Sequence, residues 1–235
     1  MRIYRHFIQD EKLCVYLPDR QARKEYVVAT DFTANEYERL MNVGWRKFGV
    51  ALFRPVCETC RECRPIRISA ERFTPERSQR RCAARNADLA VRFETPVVDV
   101  ARLDLFRRYH ESQADRKGWP AGDDSAEHYA ASFLHNPVPG LEISIWEADA
   151  LRAVAITDIT PDVVSGVYHY YDPDFRERGL GTFVMLQTIA LARQLGKPYA
   201  YFGYYVEGCA DMTYKSRFKP CEIMDVDGVW RPFSG

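Results

Sequence analysis

Apolar residues along this chain recur with two periods, and the switches between them divide it into elements. The first clear helix opens at Thr33-Ala34-Asn35-Glu36, where a capping hydroxyl and a carboxylate three residues later satisfy free amides reciprocally. Tyr37, Leu40 and Met41 follow at helical spacing, and Gly44 marks the stop. Residues 46–54 read as one strand, with Trp45, Phe48, Val50 and Leu52 available for packing, and 65–69 alternate like another. Thr74-Pro75 joins a capping hydroxyl to a proline at the first helical position, which predicts a helix to about Ala87. Residues 89–93 read as a closing strand.

Beyond Pro96 the pattern predicts two helices, three strands, a helix, a strand, a helix and a strand. Asp99 caps the first helix, which carries Leu103, Phe106 and Tyr109. Ser125 caps the second, with Tyr129 and Phe133. Strands are expected at 141–146, 151–159 and 163–171, then a long helix at 180–195 ended by Gly196-Lys197-Pro198. A strand at 199–204, a helix over 211–218 and paired strands at 221–226 and 229–231 complete the chain. There are no repeats. Two units follow from this order: residues 1–95, a smaller α+β domain, and residues 96–235, a larger α+β domain.

Composition narrows the classes. The 235 residues are 46% apolar and 28% charged, ordinary for a globular protein. No apolar run is long enough for a membrane span, and residues 1–10 carry charges but no apolar run of the secretory type, so a cytoplasmic setting is expected. The 33 basic and 33 acidic residues cancel, which argues against a protein that coats DNA. Their distribution does not cancel. From Arg54 to Arg85 there are nine Arg, no Lys and four Glu. Arg77, Arg80, Arg81 and Arg85 recur at helical spacing and share a face, which suits either a solvated surface or a row of guanidinium forks facing phosphate or carboxylate. The seven cysteines are an odd number, which fits a reducing compartment better than a disulfide framework. Cys57, Cys60 and Cys63 fall within seven residues, a spacing that suits Zn²⁺ or an iron–sulfur cluster, with Cys14 or Cys82 as the fourth ligand. A loop of free thiols is the equal alternative.

The most informative stretch for chemistry runs from Val163 through Thr182. A strand ends at Tyr171-Asp172-Pro173, and Arg176-x-x-Gly179-x-Gly181 then leads into the long amphipathic helix. Glycines let backbone approach a ligand closely, and a helix start points free N–H groups at an anion. This pattern resembles the pyrophosphate-gripping loop of the GNAT acyltransferase superfamily. A second dense segment holds Tyr201, Tyr204, Tyr205, Glu207, Cys209, Tyr214, Lys215 and Arg217, residues suited to stacking a base or positioning an amine. His169 sits on a strand between tyrosines, where a packed residue is expected, and His110 and His128 lie in helices.

Taken whole, the chain resembles the bacterial aspartate/glutamate leucyltransferases, relatives of the eukaryotic arginyl-tRNA–protein transferases. The resemblance rests on Cys14-x-Tyr16-Leu17-Pro18, Gly44-Trp45-Arg46-x-Phe48-Gly49 and Phe53-Arg54-Pro55-x-Cys57-x-x-Cys60-x-x-Cys63-x-Pro65-x-Arg67. It continues through Phe73-x-Pro75-x-Arg77-Ser78-Gln79-Arg80-Arg81, Tyr171-Asp172-Pro173, Leu180-Gly181-Thr182, Tyr201-x-Gly203-Tyr204-x-Val206-x-Gly208 and Met212-x-Tyr214-Lys215. Gly179 stands where many members carry Ser.

The resemblance implies a GNAT-like C-terminal domain, with a mixed, mainly antiparallel sheet flanked by helices, that moves leucine from leucyl-tRNA to the α-amine of a protein beginning with Asp or Glu. The product would be an N-degron for proteolysis. A tRNA and an acidic-start protein are the implied partners, with no membrane and no DNA. No cofactor is required for the transfer. The resemblance favours Cys14 with Cys57, Cys60 and Cys63 if metal binds. Arg77, Arg80, Arg81, Arg85, Arg176, Gly179, Gly181, Thr182 and Arg217 are the expected contacts to tRNA or acceptor. Asp172, Tyr171, Glu207, Tyr204 and Lys215 are the expected catalytic group, Asp172 or Glu207 accepting a proton that a tyrosine relays. An arginyl donor, or acetyl-CoA in an N-acetyltransferase, is the alternative.

Overall fold

A computed structural model describes every residue except Ala121 and Gly235. The first third builds a small four-stranded sheet. Strands β1 (Arg2–Ile8), β2 (Lys12–Leu13), β3 (Gln21–Ala22) and β4 (Lys24–Thr30) precede helix α1 (Ala34–Met41), and β5 (Arg46–Phe48) and β6 (Ala51–Pro55) follow it. The sheet order is β1-β4-β6-β5, and β2 pairs with β3 separately. Thr33 caps α1 with the full reciprocal box that the sequence predicts. The single strand expected at 46–54 is instead a hairpin. Gly49 turns it at φ +52°, and a Cβ there would lie 2.0 Å from the Ala131 carbonyl oxygen. Only glycine permits that approach. Strand β1 carries side chains exposed on both faces, so it offers no hydrophobic period for a sequence reading to detect.

The main sheet has eight strands. Along the chain come β7 (Arg64–Ser69), α2 (Arg77–Arg85), β8 (Ala90–Glu94), α3 (Val100–Lys117), α4 (Ala126–Phe133), β9 (Gly140–Glu147), β10 (Ala150–Ile159) and β11 (Val163–Tyr171). A 3-10 segment at Pro173–Arg178 leads into α5 (Leu180–Gln194) and β12 (Tyr199–Tyr205). Helix α6 (Ala210–Thr213), a second 3-10 segment at Tyr214–Arg217, β13 (Cys221–Met224) and β14 (Trp230–Phe233) end the fold. The strand order is β14-β13-β7-β12-β11-β10-β9-β8. All of its pairs are antiparallel except β11 with β12. The sheet crosses the expected boundary at residue 95: β7 lies near its middle and β8 at its edge, both drawn from the first 95 residues.

Helix α5 packs on one face of this sheet with Leu180, Phe183, Val184 and Ile189 among Ile66, Ile68, Ala155 and Val164. Helices α3 and α4 cover the other face, through Leu105, Phe106, Tyr109, Tyr129 and Phe133 against Val154, Ile156 and Tyr170. The result is an α+β fold with a large, mostly antiparallel sheet flanked by helices. Helix α2 starts two residues later than expected, capped by Glu76 rather than Thr74. The helix expected over 211–218 is split into α6 and a 3-10 turn.

Candidate active site

A wedge opens where the sheet's one parallel pair separates. Strands β11 and β12 hold register only at Val163–Tyr199, Val164–Ala200 and Ser165–Tyr201. Beyond these pairs β12 departs, with Gly203 at φ +69° inside the strand. The backbone of α5 begins beside the separated end of β11. Gly179 caps it at φ +71°, a left-handed conformation that an L side chain resists. A Cβ on Gly181 would stand 3.2 Å from Tyr171 Cε1 and 3.9 Å from His169 Nε2, so the missing side chain lets the helix start meet the strand's aromatic end. The first amides of a 15-residue helix, including those of Gly181 and Thr182, have no partner within the helix and form a donor cluster.

Helix α2 is bolted beside this loop. Asn86 Nδ2 donates to the Arg178 carbonyl at 2.9 Å, Arg85 donates to the Glu177 carbonyl, and the Cys82 thiol lies against Arg178 and Gly179 oxygens. At its other end Gln79 Nε2 donates to the Arg217 carbonyl at 3.1 Å. Gln79, Cys82 and Asn86 are thus the buried face, and Arg77, Arg80, Arg81 and Arg85 are exposed, as are Arg176 and Arg217. These exposed arginines form a basic rim along α2, from Arg85 beside the glycine loop to Arg77 at the end of the helix that meets Arg217. Arg178 belongs to the scaffold: it ties Arg85, Asp88 and Glu147 together.

Lys215 lies inside the wedge region and is 8% exposed. Its Nζ donates to the Tyr204 carbonyl at 2.8 Å and to Met212 Sδ at 3.4 Å. No carboxylate stands within ion-pair distance among the described residues. Burial, with Arg46 nearby, pulls the Lys215 ammonium down from 10.5 to about 7. A neutral amine has two N–H groups and one lone pair. Both donors are used here, and the lone pair is left over. His169 is pushed down to about 4, by burial and then by Lys215, so it is neutral.

The other expected catalytic residues are placed differently. Asp172 is 1% exposed, and Arg108 (3.0 Å) and Arg152 (2.8 Å) clamp its carboxylate while it caps the 3-10 segment. Burial opposes ionisation, but the two arginines prevail and hold the group below its ordinary value. Such a carboxylate is a poor proton acceptor, so the geometry casts Asp172 as a positioning residue for the Pro173–Gly179 loop. Tyr204 donates its hydroxyl to the Gly44 carbonyl at 2.7 Å, and burial raises its pKa, which removes it from proton relay. Glu207 is exposed and pairs with Arg64 at 3.2 Å. Tyr171 lies between Gly181 and the Tyr109 ring, 5.0 Å from the latter.

Sequence reasoning missed three groups. His110 Nε2 sits 2.8 Å from the Tyr168 hydroxyl, and its Nδ1 is 3.2 Å from Asp124, a chain that joins α3, β11 and the segment before α4. Arg46 is 6% exposed and donates only to the carbonyls of Met41, Trp45 and Gly203. The third is the pair Arg108 and Arg152. An arginine inside the apolar run 45–53 was the one visible signal, since a buried cation in such a run calls for a reason.

The cysteines gather without forming a ligand set. Cys63 is pushed up to about 12, first by burial and then by Cys14, Cys57 and Cys60, so its thiol is neutral. Arg20 donates to Cys60 Sγ at 3.3 Å. Among the described residues no group of three or more His, Cys, Asp or Glu could hold a metal ion. The four thiols expected as ligands do not fit a metal or cluster in this arrangement.

Comparison with known proteins gives the family. A family model described as arginine-tRNA-protein transferase, C terminus, matches residues 101–225, and its N-terminus counterpart matches residues 12–81. The chain belongs to the arginine-tRNA-protein transferase family. It is 39% identical over 232 residues to an aspartate/glutamate leucyltransferase of Stenotrophomonas maltophilia, covering 94% of this chain and 90% of that protein. It is 37% identical to one of Halorhodospira halophila over 93% and 92% of the two chains. Among solved structures, FemX aligns with a TM-score of 0.46 at 11% identity, over 74% of this chain and 60% of that one. No helix among the described residues is long and apolar enough to cross a membrane.

Proposed function

We propose that this protein moves leucine from leucyl-tRNA to the α-amine of proteins that begin with Asp or Glu. The observation that carries the reading is whole-chain similarity to proteins of that name in both halves. The wedge, the helix start and the basic rim support it. In this reading the C-terminal unit is GNAT-like and residues 1–95 supply the Arg face. The exposed Arg77, Arg80, Arg81 and Arg85 engage tRNA phosphates, with Arg176 and Arg217 beside them. The amides of Gly181 and Thr182 stabilise charge that develops on the ester carbonyl oxygen. The acceptor amine forms a C–N bond to the leucyl carbonyl carbon, the C–O bond to the tRNA ribose breaks, and neutral Lys215 takes the amine's proton and returns it to the departing ribose oxygen.

An N-terminal amine has an ordinary pKa of about 7.7–8.0, close to the value of Lys215, so proton exchange between them is near balance. The ester is already activated, so positioning carries much of the rate. The new N-terminal leucine marks the product for degradation in the cytoplasm.

The test is a transfer assay with peptides beginning with Asp, Glu, Ala or Lys and labelled leucyl-tRNA, arginyl-tRNA or acetyl-CoA. Leucine on the Asp and Glu peptides alone is expected. Label from arginyl-tRNA would change the donor, and label only from acetyl-CoA would overturn the reading.

A further inference from the structure

Tyr204, whose carbonyl accepts from Lys215, lines a cleft of about 310 Å³. We propose that this cleft receives the side-chain carboxylate of the acceptor's first residue, with Arg54 and Arg64 as its binding cations. The inference rests on the aminoacyl-transfer reading and adds the part of the molecule that reads acidity. The argument begins with charge. Arg54, Arg61 and Arg64 line the cleft, Asp225 is its one acid among the described residues, and that acid is already paired with Arg231 at 3.0 Å.

The two principal cations are held rigidly and incompletely used. Glu25 fixes Arg54 through Nε at 2.6 Å, and its guanidinium lies over Trp45 at 4.9 Å. Arg64 gives one terminal nitrogen to Glu207, lies over the Tyr205 ring at 5.4 Å, and has a buried Nε with no partner. Behind the wall, the buried Arg46 sits 5.4 Å from the Tyr204 ring centroid with an orphaned Nε and no carboxylate in reach. Among the described residues, Arg54 keeps both terminal nitrogens and Arg64 keeps one to offer an arriving carboxylate. Planar guanidinium forks suit a carboxylate better than any other small anionic group of a peptide.

Placement supports the same reading. Tyr204 forms a wall of the cleft through its ring, and its carbonyl accepts from Lys215. An acidic side chain in the cleft therefore sits against the residue whose carbonyl holds Lys215. Asp and Glu differ by one methylene, which an open cleft of this size absorbs. Asn and Gln bring no charge for the free guanidinium nitrogens to pair with, so the site discriminates against them by charge as well as by shape.

The experiment measures kcat and KM of the full-length protein with leucyl-tRNA and peptides beginning with Glu or Gln. Arg64→Met and Arg54→Met are each expected to raise KM for the Glu peptide on the order of tenfold or more, to lower the Glu-over-Gln preference equally, and to leave KM for leucyl-tRNA unchanged. Arg64→Lys should restore part of the loss. Folded variants that keep the full Glu-over-Gln preference would overturn the proposal. So would variants whose defect lies in KM for leucyl-tRNA, which would make the cleft a tRNA contact. Equilibrium binding of the same labelled peptides without tRNA separates the two layers. If the wild type binds Glu over Gln peptides and Arg64→Met abolishes the difference, the cleft assignment stands even where transfer of leucine fails. Equal binding of both peptides would sink it.

Discussion

Replacing Lys215 by methionine should make the protein more stable and less active, and the gain in stability should depend on pH. In the unfolded chain this lysine keeps its ordinary value of 10.5, and in the fold burial and Arg46 bring it to about 7. The folded value is depressed, so between these limits the unfolded state binds more protons and wild-type stability rises with pH. Near pH 8 the fold holds Lys215 neutral at a cost of about 3 kcal/mol, the distance from 10.5 at about 1.4 kcal/mol per pH unit. Lys215→Met removes that cost and leaves the Tyr204 carbonyl without its donor, which takes back about 1 kcal/mol. The variant should gain about 2 kcal/mol there, or about 4–8 °C in Tm for a chain of this size. Below pH 7 the gap should widen to about 4 kcal/mol, and near pH 10.5 it should reverse. Urea denaturation from about pH 6 to 10 reads this directly, beside a transfer assay in which kcat falls and KM for tRNA holds. A gap that stays constant across this range would refute the claim that Lys215 is neutral in the fold, and with it the proton-acceptor role.

Reversing Arg77, Arg80 and Arg81 to Glu should abolish transfer with the fold intact, because all three are exposed; normal transfer by the folded variant would remove tRNA from that face. Wild-type tRNA binding should also weaken steeply with salt, measured by filter retention at two ionic strengths. Gly181→Ala should push against the Tyr171 ring, lowering kcat at least tenfold while thermal denaturation shows a loss near 1 kcal/mol. Asp172→Asn should cost about 2–3 kcal/mol, because Arg108 and Arg152 lose their anion while remaining partly exposed. Its folded value is depressed, so the wild-type advantage is present above the ordinary 3.8 and should shrink as pH falls below it, measured by acid titration of both proteins.

Local chemistry made several elements legible in advance. The box at Thr33–Glu36, the Asp99 and Ser125 caps, and the glycine pair before α5 all depend on neighbours in sequence, and the structure keeps them where the chain predicts. The helical row of Arg77, Arg80, Arg81 and Arg85 was equally readable, because 3.6-residue spacing is enough to place it on one exposed face.

The tertiary structure alone decided what those elements do to each other. Nothing local announces that β7 and β8 join the main sheet, since strand pairing is a long-range choice made by whichever apolar faces meet. Asp172 looked like a base because a sequence shows a carboxylate and not the two guanidiniums that clamp it from β10 and α3. Lys215 is an ordinary lysine in the sequence, and its loss of water in the fold, not its neighbours along the chain, sets its proton. The sequence by itself determined which functional groups are available. Burial and pairing, which exist only once the chain is folded, decided their charge and hence their chemistry.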